Sequence, residues 1–282
     1  MAESGALINL GDLSKPATVL IEKVSSAVGI IYEPTRIKRK AQAEAEAEKI
    51  KTLSRIELSE IEQRALERFT HQEARKQENI EQITAQAIKE LPPDAKVQDL
   101  DEDWVAHFFK QCDVVSDKEM QSLWSRLLAG EATRPGTYSK MTTSFVSNMG
   151  KKDAQLFTTF CQFIWYMDKD LVPLIYNEKD DIYTKHGINF VTLTHLESIG
   201  LIKFNTLTGH NRSGYNQSMV AFYYGTPVTI VFPSPSNNVL TIGKVLLTAI
   251  GNELAPICGS AQNEEFLKYI KEHWIKKGLK TN

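Results

Sequence analysis

The sequence predicts a mainly α-helical protein with a smaller α+β part at its C-terminal end. Three observations indicate this fold class. Residues 35–90 contain neither glycine nor proline and are rich in Ala, Glu, Gln, Lys and Arg, which are strong helix formers. Apolar residues recur at helical spacing through 100–165. From residue 219 onward the chain contains aromatic and β-branched runs, which are typical of strands.

The composition is that of a soluble globular protein. The chain has 282 residues, 42% of them hydrophobic and 24% charged, which predicts one or two folded units rather than a disordered chain. With 33 Lys and Arg against 35 Asp and Glu, the molecule is not a polycation that coats nucleic acid. Three cysteines without a CxxC pair, and no basic segment leading into an apolar one at the N-terminus, predict a cytoplasmic protein without disulfides.

Residues 1–34 are predicted to contain an apolar helix. The run Ala17–Ile31 is shorter than the roughly 20 apolar residues that span a bilayer, so the helix does not cross a membrane unaided. Four cations follow it within five residues: Arg36, Lys38, Arg39 and Lys40. Two interpretations remain open. The helix and its basic neighbours lie on an anionic membrane surface, or the helix packs in its own core or against another subunit.

Residues 35–91 are predicted to form a long charged helix that ends at Pro92-Pro93. Its apolar positions make a stripe with a polar gap between Phe69 and Ile80, so a sustained heptad seam is absent. A helix of this length does not fit inside a small domain. Either it breaks back on itself near His71, or it pairs with copies of the same chain, which predicts a homo-oligomer.

Residues 94–170 are predicted to form a central helical domain. Ser116 and Glu119 have the spacing of a capping box, and Gly130 is placed where a helix often ends. The block Trp124–Glu131 supplies three candidate interaction residues: Trp124, Arg126 and Glu131. The structural alternative is a buried tryptophan, with Arg126 paired to a nearby acid such as Glu131.

Residues 171–282 are predicted to form a winged-helix-like α+β domain. A helix over 189–202, a polar loop over 205–218 and strands at 219–224 and 227–232 follow one another, and a helix over 263–277 closes the chain. The predicted reading helix has no Arg or Lys, and the loop offers only Arg212. Because phosphate contacts dominate affinity for nucleic acid, we favour a protein-docking role over nucleic-acid binding.

Motifs for catalysis, cofactors and metals are missing. Gly209–Gly214 has the glycine spacing of a phosphate loop, but Tyr215-Asn216 stands in place of the lysine and hydroxyl residue. The sequence has no dinucleotide fingerprint or nucleophile elbow, and its six histidines do not fall at ligand spacing. The acidic run Asp99–Asp103 is predicted to cap a helix. We therefore assign no catalytic, cofactor-binding or metal-binding residue.

Two stretches carry a resemblance to known sequences. The N-terminal stretch around Leu7–Ala17, and Val115–Glu131 with its Trp-x-Arg-Leu-Leu-Ala-Gly-Glu block, resemble a bacterial domain-of-unknown-function family over most of the chain. More loosely, His195–Ile202 followed by Leu240–Lys244 and Cys258 is similar to the abortive-infection alpha family of phage-defence proteins. The resemblance implies a bacterial host and a role in phage defence, and it carries over no catalytic residue.

These observations predict a non-enzymatic bacterial interaction protein that oligomerises through its N-terminal helices, with a possible partner protein, in anti-phage defence. A nucleic-acid binder and a peripheral membrane effector are the alternatives.

Overall fold

A computed structural model describes residues 14–29 and 59–281. The protein is a mixed α and β protein in which helices predominate, as the sequence predicts. It divides into two compact units, Met1–Ser147 and Asn148–Asn282. This division lies inside the segment 94–170 that the sequence predicts as one helical domain.

The described part of the first unit is helical. Its helices are α1 (Lys15–Val28), α2 (Glu60–Glu90), α3 (Glu102–Cys112), α4 (Lys118–Thr133) and α5 (Lys140–Asn148). Helix α1 begins where the Ser14 hydroxyl accepts from the Ala17 amide at 3.4 Å, and it ends at Gly29, whose φ of 72° suits glycine. The apolar face of α1 is buried, and the helix contacts α3 and α2. Within this unit, α1 therefore packs in its own core.

Helix α2 is a single unbroken helix from Glu60 to Glu90, which rules out the first of the two alternatives, a break near His71. Ser59 and Glu62 form a capping box at its start, and the helix ends at Glu90, just before Pro92-Pro93 as predicted. Only its second half is packed: Ile83 and Ala87 are fully buried, on the side of α2 that contacts α4. The segment from 35 to 58 lies outside the described residues.

The core of the first unit joins α3 to α4. Asp101 caps α3 by accepting from the amides of Asp103 and Trp104, which confirms the predicted role of the acidic run. Trp124 of α4 meets the edge of the Phe108 ring of α3, with 5.1 Å between ring centroids. Both side chains are fully buried.

Two predicted ends of α4 are wrong. Asp117, rather than Ser116, caps the helix, because its carboxylate accepts from the amides of both Glu119 and Met120. Gly130 does not end the helix, which continues to Thr133. Gly130 instead faces the Tyr138 ring, and an added Cβ would lie 2.7 Å from that ring.

The described residues of the second unit form nine strands. They are β1 (Ile164–Met167), β2 (Asp170–Pro173), β3 (Ile202–Phe204), β4 (His210–Tyr215), β5 (Ser218–Tyr223), β6 (Thr226–Val231), β7 (Asn238–Gly243), β8 (Val245–Leu247) and β9 (Lys280–Thr281). An antiparallel sheet has the order β2-β1-β5-β6-β9, while β3 pairs with β8 and β4 pairs with β7. The prediction of a continuous polar loop over 205–218 is therefore partly wrong. Strand β4 lies within this segment and is hydrogen-bonded to β7, which is distant in the sequence.

Its helices are α6 (Lys151–Cys161), α7 (Asp181–Thr184), α8 (Phe190–Ser198), α9 (Ala249–Leu254), a 3₁₀ turn (Ala255–Ile257) and α10 (Glu264–Lys276). The predicted helix over 189–202 ends earlier, at Ser198, and Gly200 with φ of 90° turns the chain into β3. Helix α10 packs on the sheet through Trp274, whose ring centroid lies 5.0 Å from that of Trp165 in β1. Both rings are buried and form the core of this unit.

Candidate interaction surfaces

The first half of α2 is exposed over its whole circumference. Every residue from Glu60 to Arg75 is exposed. These residues include three large apolar side chains: Ile61 is 72% exposed, Leu66 47% and Phe69 60%. Ile61, Ala65 and Phe69 follow one another at intervals of four residues and so share one face of the helix. The exposed half of α2 therefore offers an apolar stripe that no other described part of the chain covers.

The stripe continues the face that packs in the second half of the helix. Ile61, Ala65 and Phe69 each lie 18 residues before a buried residue of α2, namely Asn79, Ile83 and Ala87. Because 18 residues make about five turns, each exposed side chain points in the same direction as its buried counterpart. The inner end of this face is held by polar contacts as well, since the Asn79 amide donates to the Asp113 carbonyl at 2.8 Å. One face of α2 thus packs in the core at one end, and at the other end no described residue covers it.

The predicted site residues of α4 are not brought together as a surface. Trp124 is fully buried, and Arg126 is half-buried, with its Nε donating to the Ser122 carbonyl at 3.2 Å. Glu131 is 3% exposed and accepts from the backbone amides of Gly136 at 2.6 Å and Tyr138 at 2.9 Å. The expected pairing of Arg126 with Glu131 is therefore wrong, because loop amides take both carboxylate oxygens of Glu131.

Arg212 is bound by acids rather than left open. It lies in β4, and its Nη2 is 2.8 Å from Oδ2 of Asp170 while its Nη1 donates to the Met167 carbonyl at 3.4 Å. Asp168, in the same β1–β2 turn, accepts from the Tyr215 hydroxyl. Burial, and next this hydrogen bond to Asp168, raise the pKa of Tyr215 to about 12. These contacts hold β4 against the β1–β2 turn. They also neutralise Arg212, the one cation of the predicted loop that could have contacted phosphate.

Arg36, Lys38, Arg39 and Lys40 complete the predicted site residues, and all four lie outside the described residues.

The open face of the five-stranded sheet was missed by sequence reasoning. Tyr166 of β1 pairs with Phe222 of β5, and both are exposed on the same face, at 45% and 39%. Val220 and Tyr224 alternate with buried residues along the same part of the chain and are also exposed. The period-two pattern of Met219–Tyr224 was the available signal, since alternate side chains of a strand point to opposite faces.

Glu178 and His186 of the second unit are each paired with a polar side chain from another segment of the chain. Lys244 lies 2.8 Å from Glu178, whose side chain is 8% exposed. Burial pushes the pKa of Glu178 upward, but hydrogen bonds from Lys244 and the backbone outweigh it, and the pKa lies below its usual value. His186 shares a 3.0 Å hydrogen bond with Asn263, and burial lowers the pKa of its imidazole. These residues link separate segments of the fold.

Two of the three cysteines, Cys112 and Cys161, are buried. Burial raises the pKa values of Cys112 and Cys161, which makes their thiols poor nucleophiles. Within residues 14–29 and 59–281, no group of three His, Cys, Asp or Glu side chains is arranged to hold a metal ion. Over the same ranges, none of the helices combines the length and the apolar character that a membrane span needs.

A family model described as a protein of unknown function, DUF2806, matches residues 63–271. The match begins within the exposed half of α2 and ends within α10, so it includes residues of both units. No curated protein and no solved structure matches the chain.

Proposed function

The chain belongs to the DUF2806 family, and from this starting point we propose that it is a non-enzymatic bacterial interaction protein that self-associates through the exposed half of α2. The observation that carries the proposal is the bare apolar stripe of Ile61, Ala65 and Phe69 on a helix whose other half is packed. Large exposed apolar patches are typical of surfaces that bind another protein.

The physical gain comes from removing these side chains from water. Complete burial of an isoleucine or phenylalanine side chain contributes about 1.5–3 kcal/mol. Pairing two copies buries the stripe residues of both chains, and this gain offsets the translational and rotational entropy that association removes. Self-association therefore supplies the exposed half of α2 with the apolar contacts that its packed half obtains from α4.

Light scattering coupled to size-exclusion chromatography tests the proposal with the full chain. We expect an oligomer whose mass falls to that of the monomer in the double variant Ile61→Gln with Phe69→Gln, because glutamine keeps the helix while removing the apolar contact. The matched control is Leu207→Gln, which changes a 90% exposed apolar residue of the second unit. A wild-type chain that is monomeric at every concentration contradicts the proposal.

An anti-phage role is the biological part of the proposal, and its support is the resemblance of His195–Ile202 and the segments after it to phage-defence sequences. Phage should form fewer plaques on a bacterial strain that expresses the wild-type protein than on a strain that expresses the Ile61→Gln, Phe69→Gln variant. Equal plaque numbers would leave the self-association intact and remove the defence role.

The alternatives have weaker support. A winged-helix nucleic-acid binder would use α8 and Arg212, but Arg212 is already paired with Asp170. Titrating duplex DNA at several salt concentrations tests this alternative, since phosphate contacts give a steep salt dependence. A peripheral membrane effector would need the apolar face of α1, which is buried in the first unit. Flotation with anionic liposomes tests that role.

A further inference from the structure

Two thiols from distant parts of the sequence meet in the second unit. Cys161 is the last residue of α6, and Cys258 directly follows the 3₁₀ turn near the end of the chain. The side chains of these two cysteines are hydrogen-bonded to each other. Cys161 is 2% exposed, whereas Cys258 is half-exposed and can be reached from solvent. A buried thiol therefore lies directly behind an accessible one.

The backbone around both thiols is held by further contacts. Thr158, in the last turn of α6, donates from its hydroxyl to the Cys258 carbonyl at 3.0 Å. The Tyr224 hydroxyl donates to the Cys161 carbonyl at 3.2 Å and shares a hydrogen bond with the Ser260 hydroxyl. A disulfide forms without backbone movement only where two cysteines are already close. These hydrogen bonds hold the two cysteine-bearing segments against each other.

We infer that Cys161 and Cys258 are a site of reversible oxidation, at which a peroxide converts the two contacting thiols into a disulfide. The chain thereby gains a covalent cross-link between the end of α6 and the segment after the 3₁₀ turn. In a reducing compartment such cross-links are transient and respond to oxidative conditions. The site belongs to the second unit and does not depend on the α2 stripe.

The accessible thiol reacts first. After Cys258 has lost its proton to water, its sulfur attacks one oxygen of hydrogen peroxide and the O–O bond breaks. Cys258 becomes a sulfenic acid, and the hydroxide that leaves takes up the proton as water. The Cys161 sulfur then attacks the sulfenic sulfur, so that the S–S bond forms and the S–O bond breaks. The Cys161 proton leaves with the hydroxyl group as a second water. Two thiols thus lose two electrons, and one peroxide is reduced to two waters.

Burial explains why Cys161 takes the second step. Burial, and next the hydrogen bond to Cys258, raise the pKa of Cys161, so its thiol is a poor nucleophile toward a dissolved oxidant. Toward the sulfenic acid of Cys258 it needs no free thiolate, because the leaving hydroxyl group accepts its proton directly. Contact between the two side chains replaces a bimolecular encounter and speeds the reaction. The disulfide should therefore form before Cys258 is oxidised further to the sulfinic acid.

Thiol counting on the full chain tests the site. The chain has three cysteines, and the third, Cys112, is fully buried in the first unit. After treatment with hydrogen peroxide in native buffer, we expect the loss of the Cys161 and Cys258 thiols and the retention of the Cys112 thiol. Mass spectrometry of a non-reducing digest should recover Cys161 and Cys258 in one linked species that dithiothreitol separates. The loss of one thiol only, or a dimer linked through Cys258 of two copies, would overturn the inference.

Two variants test the order of the steps. Cys161→Ala removes the thiol behind Cys258, so peroxide should leave Cys258 as a sulfenic acid that dimedone labels, whereas the wild-type chain should be labelled only weakly. Cys112→Ala, the matched control at another buried thiol, should keep the cross-link and the weak labelling. Equal labelling of the two variants would contradict the role of Cys161. Circular dichroism checks the fold of each variant, and the wild-type digest decides the site independently of both.

The cross-link should also stabilise the second unit. It closes a loop of about 100 residues that includes β1 to β8, and this constraint on the unfolded chain should raise the midpoint of thermal denaturation by about 5–10 °C. Dithiothreitol should return the midpoint to that of the reduced chain. Cys258→Ser lacks the accessible thiol and should show no rise with peroxide. The same rise in Cys258→Ser as in the wild-type chain would contradict the inference.

Discussion

At the scale of single residues, buried polar side chains in this protein hold the backbone in place. Glu131 binds two amides of the loop that follows α4, and Trp104 donates to the Tyr138 carbonyl of the same loop at 2.7 Å. Because a carboxylate accepts charge-assisted hydrogen bonds, it fixes this loop more firmly than a neutral side chain would. The sequence identifies Glu131 as unusual, but its partners are backbone atoms, which carry no sequence signal.

We expect Glu131→Gln to lower the free energy of unfolding by about 1.5–3 kcal/mol, since one of the two amides would then face the NH₂ group of glutamine. Urea denaturation followed by tryptophan fluorescence measures the change. Arg126→Gln is the matched control on the same helix and should have little effect, because the Nε of Arg126 donates only to a carbonyl of its own helix. Equal losses in both variants would contradict this role for Glu131.

Two half-buried histidines, His186 and His273, predict an acid-sensitive second unit. Burial first, and then the charge of Lys185, lower the pKa of His186; burial and Lys277 also lower that of His273, although Asp180 opposes them. Each imidazole takes up its proton more readily in the unfolded chain. The stability of the unit should therefore be complete above about pH 6.5 and decrease as the pH falls from there toward the folded-state pKa values.

Denaturation curves at a series of pH values measure this effect. The variant His186→Gln keeps an amide oxygen that can accept from Asn263 but cannot be protonated, so its stability should depend less on pH between about 7 and 5. His71, which is exposed on α2, provides the control substitution His71→Gln. An unchanged pH dependence in His186→Gln would contradict the assignment.

At the scale of elements, sequence patterns locate helices well and their ends less well. Helix α2 ends just before Pro92-Pro93, and α10 begins just after Asn263, as predicted. Both signals can be read from the sequence because they depend on neighbouring residues. Gly130 was misassigned because a glycine inside a helix and one at its end have the same local sequence. A glycine is favoured at position 130 because the ring of Tyr138, a residue that follows α4 in the chain, packs against it.

Gly130→Ala should therefore destabilise the protein, although alanine ordinarily favours a helix by about 1 kcal/mol. The added methyl group would force the buried Tyr138 ring to move, and overpacking of this kind costs about 1–3 kcal/mol. Ser122→Ala, at a half-buried position of α4, is the control. Thermal denaturation measures both, and a stabilised Gly130→Ala variant would show that the ring moves freely.

At the scale of the whole molecule, the fold class follows from the sequence but the strand pairing does not. Helix-forming composition and β-branched runs are local signals, and they predict the mixed fold. The pairing of β4 with β7 joins segments that are separated by β5 and β6, so it depends on contacts that no local pattern encodes. The sequence predicts that α2 is a long exposed helix. Only the structure shows that the second half of α2 is packed and that its first half is exposed.

The unbroken α2 has a mechanical consequence for any assembly built on it. Because no turn or hinge separates Phe69 from Asn79, the rotational phase of the bare stripe is fixed to the body of the first unit. Inserting one alanine between them would swing the stripe by about 100° around the helix axis, while every contact at either end stayed intact. A second copy bound there would then lie on a different side of the helix, so the number of residues between Phe69 and Asn79 would set the direction in which such a copy points.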